Sequence, residues 1–236
     1  MQTTGRLRSQ NAKTPSRLHS PGRRQHGYLY RHRTNPQRPK RCPRIPPHQP
    51  PLDCPICDRG GECPLQNNTL AYGPSTSRFI EVKRHLPKAY PLSQYVTLDL
   101  ERCIQCGRCV RFTEEISGDA QLAFRFRGAE MQPSTFQLTD FESKFSGNVI
   151  EICPVGALTS ARYRFRARPW DLETKPGLCT VTPCGTNIWF DYRGSKFIRI
   201  NGRTNEAVNE EWTADRCKFG HDFYNDPPAS LRQTSE

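Results

Sequence analysis

Apolar and polar side chains alternate most clearly over two stretches of the chain. Between Tyr95 and Leu100 the apolar positions Val96, Leu98 and Leu100 are separated by Thr97 and Asp99, the period of a strand with one buried face. From Asn187 to Tyr192 the same period runs through Ile188, Phe190 and Tyr192. Arg193-Gly194-Ser195-Lys196 then supplies a turn, and Phe197, Ile198 and Ile200 follow before Asn201-Gly202. That second stretch predicts a β-hairpin with a further turn behind it. Helical spacing occurs twice. Val110, Phe112 and Ile116 form one apolar face ending near Gly118, while Phe141, Phe145, Val149 and Ile152 form another that Pro154 terminates.

Residues 1–52 show neither period. They hold nine of the 21 prolines, twelve Lys or Arg and no carboxylate, so the net charge of +12 resides entirely there. Such a segment cannot bury enough apolar surface to offset its ordering entropy, and disorder is expected over 1–47. An anion-binding arm and a transit peptide are competing readings, but only Tyr28 and Tyr30 offer stacking and the prolines spoil an amphipathic helix. The abrupt change at Asp53 favours a translation that enters its proper frame late. No apolar run reaches the length of a membrane span, and no secretory segment appears. Eleven cysteines, an odd count, point to a reducing compartment and to thiols that serve as metal ligands.

The cysteines fall into two sets. The first is Cys54-x2-Cys57-x5-Cys63; the second is Cys103-x2-Cys106-x2-Cys109 with a remote Cys153-Pro154. A two-cluster ferredoxin uses C-x2-C-x2-C-x3-C-P twice, each fourth cysteine serving the other motif's cluster. Laid on this chain, the template finds Cys103, Cys106, Cys109 and Cys153 all present. The four positions of the companion cluster read Thr113, Ser143, Ser146 and Val149. One cluster is intact and its companion is deleted as a unit. The expectation is a [4Fe–4S] cluster on Cys103, Cys106, Cys109 and Cys153, with Gly107 letting the backbone wrap it. Structural zinc competes, although zinc sites pair one C-x2-C with another, whereas here three thiols crowd one loop. Cys54, Cys57 and Cys63, curled together by the Gly60-Gly61 turn, are three ligands of a second cluster whose fourth is unassigned.

The run Pro51-Leu-Asp-Cys-Pro-Ile-Cys-Asp-Arg-Gly-Gly-Glu-Cys63 resembles a cluster segment of the large iron–sulfur subunit of respiratory complex I, the G-type subunit of NADH–quinone oxidoreductase. Arg102 to Phe112, Gly147 to Leu158, Val208 to Trp212 and Phe219 to Asp222 are similar to later segments of that family, in the same order. The resemblance spans about residues 51–225. It implies that a histidine four residues before Cys54 completes the first cluster. Pro50 stands there, and His48 is the nearest substitute, with an exposed His48 of no role as the competing reading. It also implies an upstream domain with a two-iron cluster, for which residues 1–50 offer only Cys42, so no [2Fe–2S] cluster is expected. The C-terminal part resembles the start of a molybdopterin-type oxidoreductase domain. Of its possible extra ligands only Cys179 is in place: Thr182, Thr186 and Ala214 replace the others, and Cys184 and Cys217 are displaced. No cluster is assigned there and no molybdopterin is expected.

The fold expected is α+β: irregular cluster loops with ferredoxin-like helices, then a small β-rich module. Its segments are 1–47 basic, 48–76 first cluster, 77–168 second cluster domain and 169–236 β module. Arg162, Arg164, Arg166 and Arg168 are expected to form an extended linker with a solvated basic face. Arg102, Arg108 and Arg111 are candidates for raising a cluster potential, or else solvated. The resemblance implies an electron relay in complex I. It receives electrons from an NADH-oxidising partner subunit of the peripheral arm and passes them toward quinone, at the cytoplasmic face of a bacterial inner membrane. Contact with the membrane is only through the complex, and nucleic acid is not a partner. The alternatives are an electron-transfer subunit of a soluble hydrogenase or formate dehydrogenase, a nonfunctional fragment, or a zinc-stabilised nucleic-acid-binding protein.

Overall fold

Regular structure begins directly behind the first cysteine set. The computed structural model describes residues 53–73, 82–83 and 85–225; the basic segment, Cys42, His48 and Pro50 lie outside the described residues. Helix α1 (Pro64–Tyr72) follows Cys63, with proline in its first turn, where no intrahelical donor is needed. None of its residues is buried. Its polar Gln66-Asn67-Asn68-Thr69 gives no apolar stripe for the sequence to announce.

Strand β1 (Tyr90–Pro91) pairs antiparallel with β2 (Val96–Leu98). The strand expected over Tyr95–Leu100 is therefore present but shorter, with Val96 and Leu98 buried as the alternation requires. Helix α2 (Arg108–Arg111) runs on into a π-helical turn over Phe112–Ile116. Strands β3 (Leu122–Arg125) and β4 (Gln132–Thr135) form a separate antiparallel ribbon. Helix α3 (Asn148–Ile152) leads to Cys153, and β5 (Leu158–Ser160) then pairs with the other edge of β2. Strands β6 (Glu173–Leu178), β7 (Asn187–Arg193) and β8 (Lys196–Gly202) make an antiparallel sheet in sequence order, and α4 (Asp215–Phe219) follows.

Two expectations change. The helical face of Val110, Phe112 and Ile116 is not one face: the wider π turn advances the register, so Phe112 is buried and Ile116 is 51% exposed. Likewise α3 starts only at Asn148, so Phe145 precedes it and is exposed, while Phe141 and Val149 are buried. The predicted hairpin is β7 and β8. Its third strand, β6, was not visible in the pattern because it is a mostly exposed edge containing Pro176 and Gly177.

Two apolar cores result. Val96, Leu98, Phe112, Leu122, Phe141 and Val149 build the first, which also contains Cys109 and Cys153. Ile188, Phe197 and Ile200 build the second, with Cys179 and Cys217 inside it. The architecture is α+β with small antiparallel sheets, as expected. Arg162–Arg168 is not an extended linker. It coils through turns with Tyr163 and Ala167 buried, and Arg162 donates to the carbonyl of Phe219 at 2.6 Å.

Candidate metal centre

The β2 strand delivers the chain into the second cysteine loop, and α3 returns it from the opposite side. Cys103, Cys106, Cys109 and Cys153 thereby line one apolar cavity, together with Leu98 and Val155. Gly107 sits at φ +74° as the N-cap of α2, a conformation that only glycine adopts at little cost, and it turns the loop back so that Cys109 faces inward. Burial pushes the Cys109 thiol up to about 12, with Cys153, Cys103 and Cys106 adding like-charge repulsion. Cys153 is also raised by burial, although the amides of Val155 and Leu158 point at its sulfur. The Gln105 amide donates to Cys103 Sγ at 3.4 Å. Thiols gathered in an apolar cavity resist ionisation unless a cation compensates them, and backbone donors aimed at sulfur favour charge there.

This donor set fits an iron–sulfur cluster. Four soft thiol donors, three from one loop and one from the Cys153-Pro154 turn, are the number and kind of ligand such a cluster takes.

The first cysteine set packs onto the far side of the Cys153 turn. Cys57 and Cys63 are buried and Cys54 is exposed, and burial raises the Cys57 thiol, with Cys63 and Cys54 close enough to add to the effect. Cys63 Sγ lies 3.7 Å from the carbonyl of Pro154. A Cβ on Gly156 would run into Cys57 Sγ, so any larger residue where the two sets meet would push Cys57 aside. Arginines clamp the loop. Arg168 donates to the carbonyls of Cys57 and Pro55 at 2.6 and 2.7 Å. Arg59 donates to Ile150 and Glu151, both at 3.1 Å. Arg102 reaches the Ile56 carbonyl at 3.3 Å and pairs with Asp53 and Asp99. Asp53 is held below the usual carboxylate range by Lys88, whose ammonium donates to it.

Of the three arginines flagged from sequence, Arg102 is thus buried and structural. Arg108 is exposed, and Arg111 is exposed and 3.6 Å from Glu115. Arg59 and Arg199 were missed and Arg168 was read only as part of a solvated linker, because nothing in an arginine's local sequence reveals which distant carbonyl or carboxylate it meets. Arg199 joins Glu62, beside Cys63, to Asp191 of β7 at 2.7 and 2.6 Å, and lies over the Tyr163 ring.

The positions where a companion cluster would bind are filled by the protein itself. Thr113, Ser143, Ser146 and Val149 are all buried. Thr113 donates to the Val110 carbonyl at 2.8 Å, the Ser117 and Ser143 hydroxyls meet at 3.1 Å, and Ser146 bonds to Asp215. Cys179 and Cys217 are core thiols, and Cys184 is exposed.

Three family descriptions match separate parts of the chain. An NADH-ubiquinone oxidoreductase-G iron–sulfur binding region covers residues 49–78. The ferredoxin-like domain of NADH-quinone oxidoreductase subunit 3 covers 93–159. A 4Fe-4S domain of the NDSU1/NuoG-like type covers 181–222. The NADH-quinone oxidoreductase G-type subunit of Streptomyces coelicolor is 49% identical over 170 residues, 72% of this chain and 20% of the relative. NADH-quinone oxidoreductase subunit 3 of Thermus thermophilus is 44% identical over 186 residues, 73% of this chain and 24% of the relative. The NADH-ubiquinone oxidoreductase 75 kDa subunit of Reclinomonas americana is 46% identical over 172 residues, 73% and 25% respectively. This chain therefore spans a quarter or less of the length of these relatives. A crystal structure of an NAD+-reducing [NiFe]-hydrogenase aligns with a TM-score of 0.43 and 30% identity, covering 49% of this chain and 50% of that one.

Proposed function

Since this chain carries the 4Fe-4S region of the NuoG-type subunits of NADH-quinone oxidoreductase, we propose that it relays single electrons within such a complex. Electrons would come from an NADH-oxidising partner subunit and leave toward quinone. The observation that carries the reading is the convergence of Cys103, Cys106, Cys109 and Cys153 on one apolar cavity, from loops about fifty residues apart. A [4Fe–4S] cluster held there supplies a one-electron couple.

The chain's own residues do the rest. Leu98, Val155 and Leu158 make the lining largely apolar, which lowers the local dielectric. The amides of Gln105, Val155 and Leu158 direct hydrogen-bond donors at ligand sulfurs and so favour the more negative, reduced state. Cys54, Cys57 and Cys63 would give three ligands of a second cluster, with the fourth donor outside the described residues. Among the described residues no helix is long and apolar enough to cross a membrane. Membrane association would come through the other subunits of the peripheral arm, at the cytoplasmic face. The buried, hydrogen-bonded Thr113, Ser143 and Ser146 favour this family over relatives that keep both ferredoxin clusters.

Anaerobic reconstitution followed by EPR tests the reading. Cys106→Ala should remove one reduced four-iron signal and roughly four irons per chain, leaving a separate signal that Cys54→Ala removes. A colourless, zinc-loaded product, or one signal lost with either substitution, would refute it.

A further inference from the structure

The loop between β6 and β7 holds a third group of thiols, outside both sets described above. Cys184 is exposed there, with the Thr182 and Thr186 hydroxyls 3.0 and 2.8 Å from its sulfur. Cys179, at the base of the same loop, accepts a hydrogen bond from Thr182 Oγ1 at 3.1 Å. One hydroxyl thus touches both sulfurs. The Cys179 amide donates to the Thr186 carbonyl at 2.9 Å, which ties the loop's two ends together.

We infer that Cys179 and Cys184 are a redox-responsive dithiol that closes to a disulfide by exchange with a small-molecule disulfide, Cys184 attacking and Cys179 resolving. The division of labour follows from the surroundings. Cys184 is the sulfur that a solute can reach, and the Thr182 and Thr186 hydroxyls lower its pKa. Burial opposes ionisation of Cys179, yet hydrogen bonds from Cys217, Thr182 and the Thr182 and Val181 amides outweigh it and leave the pKa lowered. Cys217, fully buried in α4, has its pKa pushed far up by burial and stays a proton donor to Cys179. Thiolate character and access are what decide thiol reactivity.

The step balances without a metal. The Cys184 thiolate attacks one sulfur of the small disulfide, its S–S bond breaks, and one thiolate leaves. The Cys179 thiolate then attacks Cys184 sulfur, the mixed disulfide breaks, and the second thiolate leaves. Two protein thiols are oxidised, one small disulfide is reduced to two thiols, and the two protein protons go to those products.

The test uses the reconstituted full chain, equilibrated anaerobically in mixtures of oxidised and reduced glutathione, acid-quenched, alkylated and mapped by peptide mass. Cys179 and Cys184 should lose alkylation together as the oxidised fraction rises, in one peptide lighter by two hydrogens. Cys184→Ser, at an exposed position that leaves the fold intact, should restore full alkylation of Cys179, and Cys217→Ser should leave the linkage in place. A glutathione adduct persisting on Cys184 beside an alkylated Cys179, or pairing of Cys179 with Cys217, would overturn the proposal. The readout is a mass at two thiols that belong to neither cluster set, so it stands or falls separately from the relay reading.

Discussion

At the scale of single residues, two positions outside the thiols carry consequences. Gly156 has no room for a methyl group because Cys57 Sγ occupies it. Gly156→Ala should therefore displace Cys57 at a cost of about 1–3 kcal/mol. Its mark in EPR would be a weakened first-set signal with the second set's signal kept. His221 is buried against the Phe197 ring, centroid to centroid 4.5 Å, with Nδ1 2.9 Å from the Lys218 carbonyl. Burial holds its pKa below the ordinary 6.5. The unfolded chain therefore binds this proton more readily than the folded one. The stability His221 contributes is complete above about pH 6.5 and declines as the pH falls below it. Thermal melts from neutral to weakly acidic pH should show that decline, and His221→Gln should flatten it.

At the scale of elements, α3 is too short to be stable through its own hydrogen bonds and is held from outside. Asp215 accepts the Ser146 and Gly147 amides at 3.0 and 2.6 Å. Asn148 accepts the Thr213 amide at 2.9 Å, so the segment before α4 fixes the start of the helix that ends at Cys153. Asp215→Ala leaves buried amides without partners and should cost roughly 1–3 kcal/mol by urea denaturation. It should also loosen the Cys153 side of the cavity before the Cys103 side. The meeting of Cys103, Cys106 and Cys109 with the remote Cys153 around one cavity was legible in the spacing of the thiols, and β2, β7 and β8 because their apolar alternation reports one buried face. Helix α1 and strand β6 were not legible, since neither buries an apolar stripe. The register change at Ile116 was hidden because a π turn leaves no mark in composition.

At the scale of the whole molecule, thiols occupy places that larger apolar side chains fill in other domains: Cys109 and Cys153 belong to the first core. Assembly of a cluster on them would then be part of folding. Stripping iron with a chelator under reducing conditions should lower the melting temperature and reduce far-UV ellipticity, and reconstitution should restore both. Unchanged melting on iron loss would show that the protein core suffices alone. The glycine at 156 bears on this coupling as well. With Cys57 Sγ standing where a side chain of residue 156 would begin, three residues beyond Cys153, the two thiol sets are in mechanical register, and a distortion of either loop is passed on to the other.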